Sequence, residues 1–318
     1  MTSRTTALGW SRRLTGLAAL FVLMCAPLAS IAAPPRAEPP MWVIKDADST
    51  LYLFGTVHLL DPDMKWLTPR VQKALDGADE LWEEVALPGT AQEVQAQQLP
   101  LLLQRAVSPD KTLSSQLTDK ERAELQRAVA RTPNPQQLGP ALEHMKPWFA
   151  TLNLGISPMQ SAGFRAEAGA DIVLAARAHK EGKPVRGFET MQQQLDILSA
   201  GSEAEQLATL RFFLTIPDPL FDGYIASTAK AMRAWMSGDA APLTAWLEAW
   251  RTGVDFATTR LMPYQTLIAD RNEGFARQIA KLLDGKGVAF IAVGAGHLIG
   301  PDSVRAKLAA RGIQAKPY

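Results

Sequence analysis

The chain has one cysteine, Cys25, and only four histidines in 318 residues. A single thiol excludes an internal disulfide, a Cys-x-x-Cys redox pair and a zinc site built on several thiolates. An excess of one charge is also missing, since 33 basic residues face 32 acidic ones. With no basic cluster beyond ordinary helix surfaces, nucleic acid is excluded as a partner. The apolar run at residues 17–28 is shorter than the roughly 20 residues of a membrane span, so no stable span is expected.

That run has the layout of a secretory signal peptide instead. Arg4, Arg12 and Arg13 precede it, and the small-residue segment "ASIAA" at 29–33 follows. Residues 1–33 are therefore expected to be removed, which would leave a periplasmic or secreted protein that starts near Ala33 or Pro34. Cys25 would leave with the signal, so the mature chain would be indifferent to an oxidising compartment. A Pro-rich leader occupies 34–41 and a globular domain 42–318, and 47% hydrophobic content is enough for a real core.

What is present is a repeated unit. "LYLFGTVHLL" at 51–60 and "VAFIAVGAGHLIG" at 288–300 each end a strand-like apolar run in Gly-x-x-His-Leu, with histidines at His58 and His297. With 4 His and 22 Gly in the chain, chance supplies about 0.3 such units. Two copies in matching context point to a shared purpose.

"MWVIKDADSTLYLFGTVH" reads as two strands around a turn, and Thr68-Pro69 opens a short helix. "ELWEEVAL" and "KPVRGFET" read as strands, with a helix from Asp171 to Lys180 before the second. Residues 264–283 read as a long helix, "VAFIAVGAGH" as a strand, and "IQAKPY" as a terminal strand. Residues 91–153 read as a helical insertion broken by Pro109, Pro133, Pro135 and Pro147, and 191–250 as a helical cap. Strand-helix alternation at both ends predicts an α/β fold with a central sheet flanked by helices.

Ligands of open α/β sheets bind beyond the carboxyl ends of the strands. His58, Glu84, Glu189 and His297 all fall at or just past a predicted strand end, so two imidazoles and two carboxylates would meet at one edge. Gly55 and Gly294 suit places where the chain leaves the sheet sharply or another backbone comes close. Arg271 lies on the apolar stripe of its helix with Ile268 and Phe275, where it needs an anionic partner such as Glu84 or Glu189. The four donors, with open positions for water, suit a catalytic rather than structural metal site, which makes hydrolysis the suggested chemistry. His144 and His179 read as structural.

"LFGTVHLL", "GADIVLAARAHKEGKPVRGFETMQQQLDIL", "LIADRNEGFARQIAKLL" and "FIAVGAGHLIGPDSV" together resemble the TraB/GumN family, which includes the Tiki proteins. The resemblance implies a fold shared with erythromycin-esterase-like and ChaN-like proteins, a divalent metal and, in the Tiki branch, metal-dependent peptidase activity. The donor set fits Mn, Fe or Zn, and Mn, Fe or Co is expected ahead of Zn. The resemblance further implies His58, His297, Glu84 and Glu189 as metal-ligand candidates, with Glu84, Glu189 and Arg271 as catalytic candidates. Ala86 stands where the family often has an acidic residue, and this leaves Glu83 as an out-of-register rival to Glu84. Three function classes follow: a metal-dependent hydrolase acting on peptides, a non-catalytic module that sequesters a peptide or other small ligand, and an iron- or haem-binding protein.

Overall fold

The computed structural model describes residues 38–253, 261 and 263–318. The signal-peptide expectation at 1–33 lies outside the described residues. Strands β1 (Met41–Lys45) and β2 (Ser49–Thr56) form the antiparallel hairpin expected from their apolar patterning. Its turn is fixed by Asp46, whose Oδ1 accepts from the Asp48 and Ser49 amides at 3.2 and 2.7 Å.

The other strands are β3 (Glu80–Val85), β4 (Val185–Glu189), β5 (Gly287–Gly294) and the short β6 (Lys316–Pro317). They complete a sheet of order β4-β3-β5-β2-β1-β6. β4, β3, β5 and β2 run parallel, so their carboxyl ends share one edge. In register, Gly55 faces Val293 and Thr56 faces Gly294. The two Gly-x-x-His units therefore lie side by side on neighbouring strands, one residue out of step.

Helices cover the sheet. α1 (Pro69–Asp76) follows β2, with Thr68 capping the Val71 amide and proline at its first position. Between β3 and β4 come α2 (Ala91–Ala106), α3 (Asp119–Ala130), α4 (Pro135–Leu142), α5 (Pro147–Ser161) and α6 (Ala170–Lys180). Pro135 and Pro147 open helices here, because a proline at the first helical position lacks only an N–H that has no partner there anyway. After β4 follow α7 (Met191–Leu198), α8 (Glu203–Leu214), α9 (Asp218–Met236) and α10 (Ala241–Arg251). A π-helical turn, Gln265–Ala269, leads into α11 (Asp270–Leu282), and α12 (Val304–Ala309) follows β5.

The main core contains Leu53, Phe54, Leu81, Phe290, Ile291 and Phe275 around the sheet. Each such buried side chain contributes about 1.5–3 kcal/mol relative to exposure. The stretch 191–250 does not pack as one unit. Leu210, Phe213 and Leu214 of α8 join Leu125, Leu142 and Leu154 of the 91–161 helices in a second core, whereas Trp235, Met236, Leu243 and Leu247 of α9 and α10 pack into the main one.

Trp235 explains Gly55. The strand does not end at this glycine but continues through Thr56. A Cβ on Gly55 would lie 2.3 Å from Trp235 Cζ2 and 3.0 Å from the Ala295 backbone, and the indole N–H donates to the Gly55 carbonyl at 3.1 Å. The glycine is there for close approach and not as a chain exit.

Candidate functional site

The carboxyl edge of the parallel strands gathers the expected residues. Glu84 lies in β3, Glu189 ends β4, His58 follows β2 by two residues, and His297 closes the 3-10 turn Ala295–His297 after β5. Arg271, in the first turn of α11, joins them. Its Nη2 donates to Glu84 Oε2 at 2.5 Å and to Glu189 Oε2 at 2.8 Å, and its Nε donates to Glu189 Oε1 at 2.9 Å. Its Nη1 reaches the Leu267 carbonyl and His297 Nε2, both at 3.2 Å. The arginine thus pairs with both carboxylates, and the planar fork of the guanidinium makes this geometry available.

Glu84 is the hub. Besides Arg271, its Oε2 accepts from Gln194 Nε2 at 3.1 Å, and its Oε1 accepts from the Gly294 amide at 2.7 Å. Burial alone would push this carboxyl up. His297, the Arg271 cation, His58 and the Gly294 N–H outweigh it and hold Glu84 well below the usual carboxylate range. Among these, Arg271, His58 and the amide carry the effect, because His297 is neutral.

The neutrality of His297 follows from its contacts. A guanidinium nitrogen has no lone pair to offer, so Arg271 Nη1 can bond His297 Nε2 only when that nitrogen is unprotonated. The other nitrogen, Nδ1, then carries the proton and donates to Asn272 Oδ1 at 2.6 Å. Asn272 is itself fixed by donating to the Asp302 carbonyl at 2.8 Å. Burial and the Arg271 charge depress His297 to about 4, against the pull of Glu84.

His58 has the opposite setting. Its side chain is 61% exposed and its Nδ1 lies 3.0 Å from Asp171 Oδ2. The Asp171 carboxylate raises it to about 9, a shift moderated by solvent at so open a position.

Glu83 points away from Glu84, as successive strand residues must. It is 2% exposed, and burial followed by the Asp171 charge pushes it well above the usual range. Its Oε2 accepts weakly from the Leu87 amide at 3.3 Å, while Glu83 Oε1 and Asp171 Oδ1 are buried without partners. Both residues line a cavity of about 190 Å³ with His58, Glu84 and Gln194. The rival glutamate therefore lines the same cavity, and burial favours its neutral form.

Sequence reasoning missed Asp171, Asn272 and Gln194. Asp171 sits in the first turn of α6, a place where an acid is common for dipole reasons alone. Asn272 and Gln194 act through other side chains, and their types carry no signal of it. His179 lies apart, with Nε2 2.8 Å from the Leu87 carbonyl.

Do these residues suit a divalent metal? Among the described residues, no group of three or more His, Cys, Asp or Glu side chains is spaced to hold a metal ion. Glu189 has both oxygens committed to Arg271. The remaining donors fit better. A Cβ on Gly294 would meet Glu84 Oε1 at 3.0 Å, His297 Cδ2 at 3.4 Å and His58 Nε2 at 3.8 Å, so three donor side chains surround one point over a glycine. Both imidazoles have Nδ1 held by a side-chain oxygen, the arrangement that orients Nε2 toward a metal. Glu84 and Glu189 face the Arg271 guanidinium while Asp171 pairs with His58. A cation that bound His58 in its neutral form would replace the charge lost from that imidazole. The donor types of His58, His297 and Glu84 therefore fit a divalent cation once His297 Nε2 is released from Arg271 Nη1, to which it is bonded here.

Fold and site together define an α/β protein with an ionised histidine-carboxylate-arginine cluster at the carboxyl edge of its parallel strands. The chain belongs to the TraB/PrgY/gumN family, whose profile matches residues 40–317. It is 23% identical over 297 residues to an uncharacterized protein of Treponema pallidum (strain Nichols), which covers 89% of this chain and 85% of that protein. No solved structure matches the chain. No helix among the described residues is long and apolar enough to cross a membrane.

Proposed function

We propose that the protein is an exported, divalent-cation-dependent hydrolase, with a peptide or other small molecule as substrate, that works at the carboxyl edge of β2, β3 and β5. The observation that carries the reading is the convergence of His58, His297 and Glu84 over Gly294, with each imidazole held by a side-chain oxygen. A bound Mn, Fe or Co ion, held by these three residues, would supply Lewis acidity and lower the pKa of a water. Every other part of the work falls to the chain. Asp171 orients His58, Asn272 fixes the tautomer of His297, and Arg271 with Gln194 holds Glu84 in one rotamer. Glu83, which lines the same cavity, has one oxygen without a partner and is pushed by burial toward its neutral form, would serve to give a proton to a leaving group. The Arg271 N–H groups are spent on carboxylates and on His297, which assigns the arginine to positioning.

The test pairs metal content with turnover. Protein purified without chelator is analysed for metal, then screened for cleavage of a peptide library with added Mn(II) or Co(II). About one ion per chain in wild type and none in the His58→Ala, His297→Ala double variant is the expected result. Equal and negligible uptake by both would remove the basis of the hydrolase reading. Ligand binding without cleavage under any metal would instead favour a sequestering module, which uses the same edge.

A further inference from the structure

A second and larger cleft lies beside the cluster, between the helices. It has a volume of about 790 Å³, within the roughly 300–1,000 Å³ range of small-molecule sites. Three elements connect it to the cluster. Leu59, on its wall, directly follows His58. Leu267, also on the wall, gives its carbonyl to Arg271. Helix α7 presents Gln194 to Glu84 and, one turn later, Ile197 and Leu198 to the cleft.

The chemistry of the lining is narrow. Among the described residues Glu205 is its one charged residue, and that carboxylate is committed to the amide and hydroxyl of Ser202 at the start of α8. Thr151, Thr209 and Ser227 donate their hydroxyls back to carbonyls of their own helices at 2.9, 3.0 and 2.8 Å. The Gln206 amide is bonded to the Ser199 and Gly201 carbonyls. A peptide backbone placed here would find few donors and acceptors for its own polar groups, and each group buried without a partner costs about 1–3 kcal/mol. A hydrocarbon chain has no such cost.

Two glycines point the same way. Gly155 in α5 and Gly223 in α9 lie inside helices, where glycine costs about 1 kcal/mol relative to alanine. Both line the cleft, and a Cβ on either would meet nothing within 4 Å. Among the described residues nothing in the packing requires them, whereas a ligand lying across them would.

We infer that this cleft binds a linear hydrocarbon chain. On the hydrolase reading above, the substrate is then acylated, with the chain in the cleft and its ester or amide at the cluster. The mostly apolar walls, in which the Thr228 hydroxyl is a buried polar group left without a partner among the described residues, and the clear floor over Gly155 and Gly223 suit that occupant. Free fatty acid and membrane phospholipid share this chemistry, and binding assays separate them.

The mature protein is titrated with the apolar fluorophore 1-N-phenylnaphthylamine, and the bound probe is competed with palmitate, with phosphatidylglycerol vesicles and with an apolar octapeptide. Saturable binding of about one probe per chain, displaced by palmitate or by vesicles and not by the peptide, is expected. Gly155→Phe and Gly223→Phe fill the cleft and should weaken probe binding at least tenfold, while Gly155→Ala retains it and raises the melting temperature. His58→Ala should bind the probe like wild type, which keeps this outcome separate from the fate of the hydrolase reading. Absence of saturable binding, displacement by the peptide alone, or full binding by both Phe variants that melt like wild type would overturn the inference.

Discussion

Replacing Arg271 with alanine tests the electrostatic logic of the whole edge. The side chain is 12% exposed and its partners Glu84 and Glu189 are 9% and 12% exposed, so the substitution leaves two carboxylates buried without their cation. Breaking one such buried pair costs about 3–5 kcal/mol, because the remaining charge has lost both water and partner. For a domain of this size each kcal/mol lowers the melting temperature by roughly 2–4 °C. The Arg271→Ala variant should therefore melt roughly 6–20 °C below wild type at pH 7. The sign of the pH dependence provides a second check. In wild type Glu84 is held below its unfolded value near 4.5, so its contribution is present above that pH and lost as pH falls through the folded value. In the variant, burial is left to push Glu84 up, and acidification toward pH 5 relieves the buried charge. The deficit should thus shrink between pH 7 and pH 5 in calorimetric melts, and Arg271→Ala with Glu84→Gln should recover part of it at pH 7. A variant that melts within 2 °C of wild type, or whose deficit is the same at both pH values, would refute the reasoning.

Further outcomes follow from single contacts. Asp171→Asn removes the carboxylate that raises His58 to about 9, so its imidazole proton resonance should titrate closer to 6.5. The stabilisation that wild type draws from this pair is complete below about 6.5 and lost as pH rises through 9; the asparagine variant should show no such loss in denaturant melts over that window. Gly55→Ala places a methyl 2.3 Å from Trp235 Cζ2 and should cost about 1–3 kcal/mol in urea unfolding, with wild-type stability counting against the close-approach reading. The signal-peptide reading requires periplasmic protein to begin near Ala33 or Pro34 by intact mass, and a soluble pool retaining Met1 would contradict it.

The sheet was legible because its strands are continuous apolar runs closed by strong turn residues. Asp46 ends β1, and Gly182 with Pro184 precedes β4. The shared edge for His58, Glu84, Glu189 and His297 could be read as well, since each follows or ends a strand. Other features had no local signature. The π turn before Arg271 is invisible to a periodicity tuned to 3.6 residues, yet it sets where α11 begins. The division of 191–250 among several apolar clusters depends on which distant helix each apolar face meets. Local sequence left Gly55 open between a chain exit and close approach of another backbone, because the indole that needs its space comes 180 residues later.

The two Gly-x-x-His units have the same local sequence pattern and opposite electrostatics. His58 is exposed beside a carboxylate and is raised to about 9, whereas His297 is buried beside an amide and lowered to about 4. At neutral pH, with no other cation present, one imidazole is charged and the other is not. What sits on Nδ1 is one difference between them, and it can be exchanged. Asn272→Asp places a carboxylate 2.6 Å from His297 Nδ1 in place of the amide, giving this imidazole the partner that His58 already has. A charge at that distance favours imidazolium, and protonating Nε2 would displace Arg271 Nη1 from its 3.2 Å contact. His297 should then titrate well above 4 in a heteronuclear NMR experiment, and the Arg271 side-chain resonances should shift through the same pH range. If His297 stayed near 4 with aspartate in place, burial and Arg271 alone would govern it, and the amide could not be what separates the two histidines.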